Sequence, residues 1–307
     1  MRCTSPRTVG FKPDGKTISW SQKNFSKEFA TFQLPCGKCI ECRLEYARQW
    51  AIRCMHEAQM HPENSFITLT YSDENLLSPK LQYEDFQLFM KRLRKHSNNE
   101  IGMFVTGEYG DKTKRPHWHA LLFNYRPSDS IYKYTNDHGD RVYSSAILDQ
   151  LWGKGIAELG QITLKSAGYC ARYAAKKLVH GHDQEHDFQP ISKKSSKNAI
   201  GKKWLEKYWE DVFNYGQIVL PDGSTCSLPR YYQKWLLKHK PEEYKHYVTE
   251  TKNKKTEHAL ARAYAEAVSY FEQSRKRTFK GPLKTRIQAR KEITEQKHKL
   301  ALSKLKL

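Results

Sequence analysis

No stretch of this sequence is apolar for long enough to cross a bilayer, since a membrane-spanning helix needs about 20 consecutive apolar residues. Residues 1–5 also lack the apolar core of a signal peptide. We therefore expect a protein that works in a cytosol without a membrane partner, where thiols stay reduced. The seven cysteines are then expected to be free thiols or metal ligands rather than disulfides.

Acidic residues are few relative to basic ones. The chain has 33 Asp or Glu against 53 Lys or Arg, which gives a formal net charge of +20. A positive field of this size concentrates polyanions, so nucleic acid is the favoured class of partner. A soluble basic protein without such a partner remains the alternative on charge alone.

Composition and hydrophobic periodicity divide the chain into four predicted segments. Residues 1–62 hold a cysteine cluster and a helix. Residues 63–181 run as strand, helix, two strands, helix, strand, helix, which predicts an α+β fold with helices packed on an antiparallel sheet. Residues 182–250 indicate a linker and a small aromatic-rich unit. Residues 251–307 carry 16 Lys or Arg against five Asp or Glu, which predicts a basic tail, helical or partly disordered.

Two stretches show no clear period of their own. Residues 1–35 are mixed in character, and residues 126–143 are polar. We expect the first to be irregular and the second to be an inserted loop.

A His-x-His pair opens the run 117–123, which is predicted to be a strand. Because strand side chains alternate between faces, His117 and His119 point to the same side. Two such imidazoles can share one divalent ion, and Glu108, at the end of the preceding predicted strand, is the best candidate for a third ligand. Its oxygen suits Mg²⁺ or Mn²⁺. An isolated His-x-His pair is more often structural, so this pattern needs a second observation.

Tyr169 and Tyr173 supply that observation, because they lie four residues apart in a predicted helix and therefore share one face. Their neighbours are mostly alanine and glycine, so the two rings are the only large groups there. A nearby metal would stabilise charge at the phosphorus of a bound phosphodiester, and Lys176 would add positive charge. The pattern predicts tyrosine attack on DNA that leaves a 5′-phosphotyrosyl bond and a free 3′-hydroxyl.

In their order along the chain, these motifs resemble the HUH endonuclease superfamily. The resemblance covers roughly residues 35–180, and its motifs are FITLT at 66–70, GEYG at 107–110, RPHWHALLF at 115–123 and the pattern Tyr169-x3-Tyr173-x2-Lys176. The paired tyrosines are similar to those of the replication initiators of microviruses. The cluster PCGKCIECR at 35–43 is similar to the gokushovirus branch.

The resemblance implies a ferredoxin-like palm with the His-x-His strand at its centre and Mg²⁺ or Mn²⁺ as the cofactor. It implies metal binding by His117, His119 and Glu108, and catalysis by Tyr169, Tyr173 and Lys176. The implied function is rolling-circle replication in the cytoplasm of a bacterial host, in which the protein nicks the origin strand and rejoins the displaced strand. The implied partners are single-stranded DNA, the viral origin, and a host helicase and polymerase.

The cysteine cluster raises a separate question. Cys36, Cys39 and Cys42 form C-x2-C-x2-C, a spacing able to wrap a structural Zn²⁺ that would need a fourth ligand. One helix from Cys42 to Cys54 would hold these two residues about 18 Å apart, which excludes Cys54 and leaves Cys3 as the freer candidate. Thiols without a metal remain the alternative. Cys170 is expected to point away from the face of the tyrosines.

Two other functions compete with the initiator. A non-catalytic, zinc-stabilised DNA-binding regulator would explain the charge and the cysteines, but it gives no reason for the histidines and tyrosines to occur together. An HUH transposase or relaxase would keep the chemistry. Transposases of this group commonly use one tyrosine, however, and a relaxase usually brings a larger accessory domain.

Chelation separates the regulator from the nuclease. The protein would be mixed with labelled single-stranded circles of the cognate genome in Mn²⁺ or in EDTA and run on a denaturing gel. A metal-dependent endonuclease gives a covalent protein–DNA band in Mn²⁺ alone, because the ion stabilises charge at phosphorus. Tight binding in EDTA, with no covalent band in either condition, would favour the regulator.

Overall fold

The computed structural model describes residues 3–110, 113–176, 191–195, 197–276 and 286–305, with the side chains of residues 173–176 outside that description. Two compact units make up the chain. The first combines Met1–Glu45 with Ala259–Leu307, and the second is Tyr46–His258.

The first unit contains a small antiparallel sheet of three short strands in its described part. These are β1 (Arg7–Phe11), β2 (Ile18–Ser19) and β3 (Phe32–Leu34), in the order β2-β1-β3, with a 3-10 helix at Gln22–Asn24. The ring of Phe11 packs against Phe29 and Phe32, and Val9 is buried. The expectation of an irregular segment is therefore wrong. Strands of two to five residues are too short to display a period of two in the sequence.

The second unit is built on one large antiparallel sheet. Its strands in the described residues are β4 (Asn64–Thr70), β5 (Gly102–Tyr109), β6 (Pro116–Phe123), β7 (Ile131–Thr135), β8 (Arg141–Ser144), β9 (Ala157–Gly160) and β10 (Ile191–Lys194). The order across the sheet is β10-β5-β6-β4-β9-β8-β7. Strand β6, which carries both histidines of the His-x-His pair, lies inside the sheet and is hydrogen-bonded to a neighbour along each edge.

Four of these strands and two helices repeat the predicted ferredoxin-like pattern. In chain order they are β4, α2 (Tyr83–His96), β5, β6, α3 (Ala146–Trp152) and β9, and the strands lie in the order β5-β6-β4-β9. The predicted α+β fold with helices on an antiparallel sheet is confirmed. The sheet then continues beyond this pattern at both edges.

Helix α2 shows how the sequence builds one face of the unit. Phe86, Phe89, Met90 and Leu93 recur at helical spacing and are all buried against the sheet. Acidic residues occupy its first turn and basic residues its last turn, which complements the helix dipole. Together with α3 and the indole of Trp118, this helix forms the hydrophobic core on that face.

Two other helices cover the opposite face. They are α1 (Ile40–Ala58), from its residue Tyr46 onward, and α4 (Leu164–Lys176). Ala167, Cys170 and Ala171 of α4 are fully buried there with Phe104 and Leu121 of the sheet. Small residues on α4 let its backbone approach the strands closely, and this brings its remaining side chains near the histidines.

The two extensions of the sheet were not evident in the sequence. Residues 126–143 were expected to be a loop, but they contain β7 and most of β8, an antiparallel hairpin joined to β9. The five residues of β7 are all exposed, so the strand lacks the alternation of buried and exposed residues that marks a half-buried strand. The polar stretch 182–200 predicts a linker, yet β10 pairs with β5 as an edge strand. Residues 182–190 lie outside the described residues.

The aromatic-rich part of the second unit is helical. Its elements are α5 (Lys202–Tyr215), β11 (Ile218–Val219), β12 (Thr225–Cys226), α6 (Arg230–His239), α7 (Pro241–His246), a π-helix (Tyr247–Asn253) and the start of α8 (Lys254–Lys276). Leu205, Phe213, Tyr232 and Leu236 are buried together with Ile52 of α1. The expectation that aromatic side chains form a core here is confirmed.

The basic tail is helical where the structure describes it, in α8 and α9 (Arg286–Leu305). Most described residues of both helices are exposed, as the low apolar content indicates. None of the described helices is both long and apolar enough to span a membrane.

His56 connects α1 to the aromatic core and makes the stability of this unit depend on pH. Its ring stacks on Trp204 at 3.5 Å between centroids, and its Nδ1 lies 2.8 Å from the Tyr232 hydroxyl. Burial lowers the pKa of His56 to about 3, below the value of about 6.5 expected in the unfolded chain. The neutral ring therefore contributes stability above pH 6.5 that is lost as the pH falls, because only the unfolded state then gains the proton.

We expect wild type to lose about 2 kcal/mol of unfolding free energy between pH 7 and pH 5 through this residue alone. Urea unfolding of wild type and His56→Gln at both pH values measures it. The stability difference between the two proteins should shrink by about that amount at pH 5, since every other histidine is common to both. An unchanged difference would mean that His56 titrates normally in the folded state.

Candidate metal centre and nucleophile

The pairing of β5 with β6 brings the predicted metal ligands together. In the antiparallel register, Glu108 is directly opposite His117, and Thr106 is directly opposite His119. Side chains opposite each other on neighbouring strands lie about 5 Å apart at their Cβ atoms. Glu108, His117 and His119 therefore share one face of the sheet, and one ligand atom from each lies within 4.8 Å of the others.

Both imidazoles direct the same nitrogen at the same oxygen. The Nε2 atom of His117 lies 3.0 Å from Oε1 of Glu108, and Nε2 of His119 lies 2.9 Å from it. Glu108 and His119 are buried, and His117 is partly buried. The three side chains thus form one enclosed group at the end of the β5–β6 hairpin.

The proton on His117 can be assigned from its second contact. Its Nδ1 lies 3.2 Å from the main-chain oxygen of Arg115, which can only accept a hydrogen bond, so Nδ1 carries the hydrogen. In the neutral ring, Nε2 is then a lone pair that faces a carboxylate oxygen. Only a second proton or a cation bound between the two atoms makes that contact favourable.

Burial opposes the doubly protonated form at the neighbouring histidine. It lowers the pKa of His119, while the hydrogen bond and the charge of Glu108 raise that pKa by less. Burial also raises the pKa of Glu108, but hydrogen bonds with both histidines outweigh it and lower the pKa to about 2. The group at neutral pH is therefore a carboxylate facing a largely neutral imidazole.

The second oxygen of Glu108 gives an independent sign of a cation. Oε2 is buried and has no hydrogen-bond partner in the described part of the chain. An unpartnered carboxylate oxygen costs several kcal/mol in a buried site unless a cation compensates it. Ligands at right angles on an ion about 2.1 Å away lie about 3.0 Å apart, which matches the observed N–O separations. Glu108, His117 and His119 therefore fit a divalent ion.

Tyr169 lies beside this group. Its hydroxyl donates a hydrogen bond of 2.6 Å to Oε1 of Glu108 and lies 3.4 Å from Nε2 of His119. The ring stands edge-on to that of His119 at 5.0 Å. The next residue, Cys170, is fully buried in the core below, so it does point away from the tyrosine as expected.

Tyr173 and Lys176 are placed by the backbone only. Both lie in α4, one and two helical turns after Tyr169, but their side chains are outside the described part of the structure. Their predicted roles remain predictions.

The four cysteines of the first unit form a second candidate site. Cys3, Cys36, Cys39 and Cys42 have their sulfur atoms within 4.8 Å of one another. The Sγ atom of Cys3 lies 3.5 Å from that of Cys36 and 3.7 Å from that of Cys39. Thiolates on a tetrahedral Zn²⁺ at about 2.3 Å lie about 3.8 Å apart, so the observed spacing fits such an ion. Cys54 is buried in the core of the other unit and does not belong to the group.

Main-chain N–H groups surround these sulfur atoms. Ser5 and Cys36 donate to Sγ of Cys3, while Lys38 and Cys39 donate to Sγ of Cys36. Burial raises the pKa of the Cys39 thiol, but hydrogen bonds from Cys42 and Thr4 outweigh it and lower the pKa to about 6. The site therefore favours thiolate, the form that binds metals.

Comparisons with known proteins agree with this geometry. Residues 64–178 match a family model of replication-associated proteins of the ORF2 type. The chain is 51% identical over 265 residues to Replication-associated protein VP4 of Bdellovibrio phage phiMH2K, and the match covers 84% of each chain. The chain belongs to this family of viral replication-associated proteins.

Two further relatives are more distant. Replication-associated protein ORF2 of Spiroplasma virus 4 is 30% identical over 74% of this chain and 75% of its own length. Replication-associated protein ORF4 of Chlamydia phage 1 is 33% identical over 69% of this chain, which spans only 55% of that relative. No solved structure matches the chain. The matched family region holds both histidines, Glu108 and both tyrosines.

Sequence reasoning missed two threonines of the site. Thr68 of β4 and Thr106 of β5 are register partners of His119, one on each side. The signal was present in the run FITLT, where Phe66, Thr68 and Thr70 alternate with buried Ile67 and Leu69 and so face the histidines. Which strand lies beside β6 could not be read from that run.

Proposed function

We propose that this chain is the rolling-circle replication initiator of a virus that infects bacteria. It acts as a metal-dependent endonuclease that nicks the origin strand and remains joined to it. The observation that carries the proposal is the 2.6 Å contact between the hydroxyl of Tyr169 and Glu108, inside a group that fits a divalent ion. A nucleophile and an ion site at that distance suit one phosphodiester bound between them.

Each side chain has a role in this reaction. The phenol oxygen of Tyr169 attacks phosphorus, its proton passes to solvent or to a neighbouring base, and the bond from phosphorus to the 3′ oxygen breaks. The 3′ oxygen takes up a proton and leaves as a hydroxyl, so DNA is held by a 5′-phosphotyrosyl bond. His117, His119 and Glu108 hold Mg²⁺ or Mn²⁺, which polarises the phosphate oxygens when bound. Lys176 adds positive charge.

The second tyrosine makes the reaction repeatable. The phosphotyrosyl bond retains the energy of the phosphodiester, so attack by a 3′-hydroxyl can rejoin the strand without ATP. Tyr173 follows Tyr169 by four residues in α4, so it supplies a second nucleophile on the same helix face for the regenerated origin.

The partners follow from the family and the charge. The relatives are named replication-associated proteins of phages and of a Spiroplasma virus, and this chain carries a net charge of +20. We propose that it binds single-stranded DNA and the viral origin in the cytoplasm of a bacterial host, and that a host helicase and polymerase complete replication. A non-catalytic regulator gives no reason for ligand atoms and a phenol to converge on Glu108.

The cysteine group is proposed to hold a structural Zn²⁺ through Cys3, Cys36, Cys39 and Cys42. Four thiols without an oxygen ligand suit zinc rather than magnesium. This ion would hold the N-terminal strand segment to the start of α1.

Removal of the phenols tests the nicking reaction. Tyr169→Phe should lower the yield of covalent adduct with origin single-stranded DNA in Mn²⁺ by at least about 100-fold for the first cleavage, since the nucleophile is lost. The variant with both Tyr169→Phe and Tyr173→Phe should form none. The readout is a labelled protein–DNA band on a denaturing gel.

Tyr132→Phe is the matched control, because this exposed tyrosine lies on β7 at the sheet edge and should leave the yield unchanged. Adduct formed by the double variant would refute the assignment of nucleophiles. Unchanged nicking by His119→Ala would refute the role of the metal.

Zinc content tests the cysteine group. Wild type dialysed against EDTA and then measured by elemental analysis should keep about one zinc per chain, and Cys3→Ser should lose most of it because a tetrahedral site would lack one thiolate. Cys226→Ser, outside the group, should keep the metal. Full retention of zinc by Cys3→Ser would show that the fourth ligand lies elsewhere.

A further inference from the structure

Thr68 lies on the strand that borders the histidine strand. In the β4–β6 register it is directly opposite His119, on the face of the sheet that holds the candidate metal site. Its hydroxyl oxygen lies 3.0 Å from Nδ1 of His119. The other ring nitrogen, Nε2, lies 2.9 Å from Glu108. One side of the ring therefore meets a hydroxyl, and the other faces the ligand group.

The tautomer of His119 decides whether it can bind an ion. A neutral imidazole carries one hydrogen, and the nitrogen that carries it cannot be a ligand. Only the form with hydrogen on Nδ1 presents a lone pair at Nε2 toward Glu108. An acceptor at Nδ1 is therefore needed to favour that form.

His117 and His119 meet this need in different ways. His117 lies near the start of β6, where the main-chain oxygen of Arg115 in the preceding turn accepts from its Nδ1. His119 lies two residues further into a strand whose two edges are hydrogen-bonded to β4 and β5. Main-chain oxygens there are engaged in the sheet, so the acceptor has to come from a side chain.

We propose that Thr68 is a positioning residue whose hydroxyl accepts a hydrogen bond from Nδ1 of His119 and holds this ring in its metal-binding tautomer. The inference rests on the proposed metal centre and adds a residue to it. Unlike a carbonyl oxygen, a hydroxyl can also donate, so the contact survives when Nδ1 is the lone pair. Thr68 therefore keeps the ring oriented before and after an ion binds.

Thr106 offers a matched control within the same row. It is the register partner of His119 on β5, the other neighbouring strand, and it is fully buried. Its hydroxyl has no hydrogen-bond partner in the described part of the chain. Thr106→Val and Thr68→Val thus remove the same group at the same level of the sheet, but only the second removes a contact with a histidine.

The test is the dissociation constant for Mn²⁺, followed by electron paramagnetic resonance of the free ion, with His119→Ala defining the background. Thr68→Val should bind Mn²⁺ on the order of 10-fold more weakly than wild type, as expected when the partner of a ligating histidine is lost. Thr68→Ser, which keeps a hydroxyl, and Thr106→Val should bind as wild type does. Thermal unfolding of the metal-free variants checks that each one folds.

Each failure has a distinct meaning. Equal affinity of wild type and His119→Ala would overturn the metal centre itself. Wild-type affinity in Thr68→Val, or equal weakening in Thr106→Val, would overturn the role of Thr68 alone.

A measurement on wild type needs no variant. Nitrogen-15 NMR of the imidazoles with Mg²⁺ bound should show His119 with its hydrogen on Nδ1. Hydrogen on Nε2 would overturn the inference even if Thr68→Val failed to fold.

Discussion

The register between β5 and β6 is the constraint on which the site depends. It sets Glu108 opposite His117, and a slip of one residue would turn one member of that pair to the other face of the sheet. The opposite face holds the register in place. Trp118, between the two histidines, is fully buried there, and its ring covers Gly107, where a Cβ atom would come within 2.6 Å of it. The hydrophobic core on one face thus aligns the polar group on the other.

The polar face is assembled from buried groups that are costly when unpartnered. A carboxylate with one unpartnered oxygen and an imidazole lone pair directed at the other oxygen are unfavourable without a cation. Helix α4 completes the site because its alanines pack closely on the sheet, which leaves the phenol of Tyr169 at the edge of the ligand group. The ion, the nucleophile and the neighbouring threonine depend on one another through Glu108 and His119.

The cysteine group follows a different logic in the other compact unit. Its ligands come from the first residues of the chain and from the start of α1, and its small sheet buries few large side chains. A unit with so little apolar core is one in which a bound metal contributes a large share of the folding free energy. Metal chemistry in this protein therefore divides into a site suited to holding structure and a site suited to reaction.

The sequence by itself determined the α+β class, the His-x-His strand, the helix of the two tyrosines and the three clustered cysteines, because each depends on local spacing. Family resemblance added Glu108 as a ligand and the ferredoxin-like order of strands. Tertiary structure alone decided that Cys3 joins the cluster, that β7, β8 and β10 extend the sheet, and that Thr68 and Thr106 flank His119. These facts depend on which strands pair, and strand pairing is set by long-range packing that no local pattern of residues records.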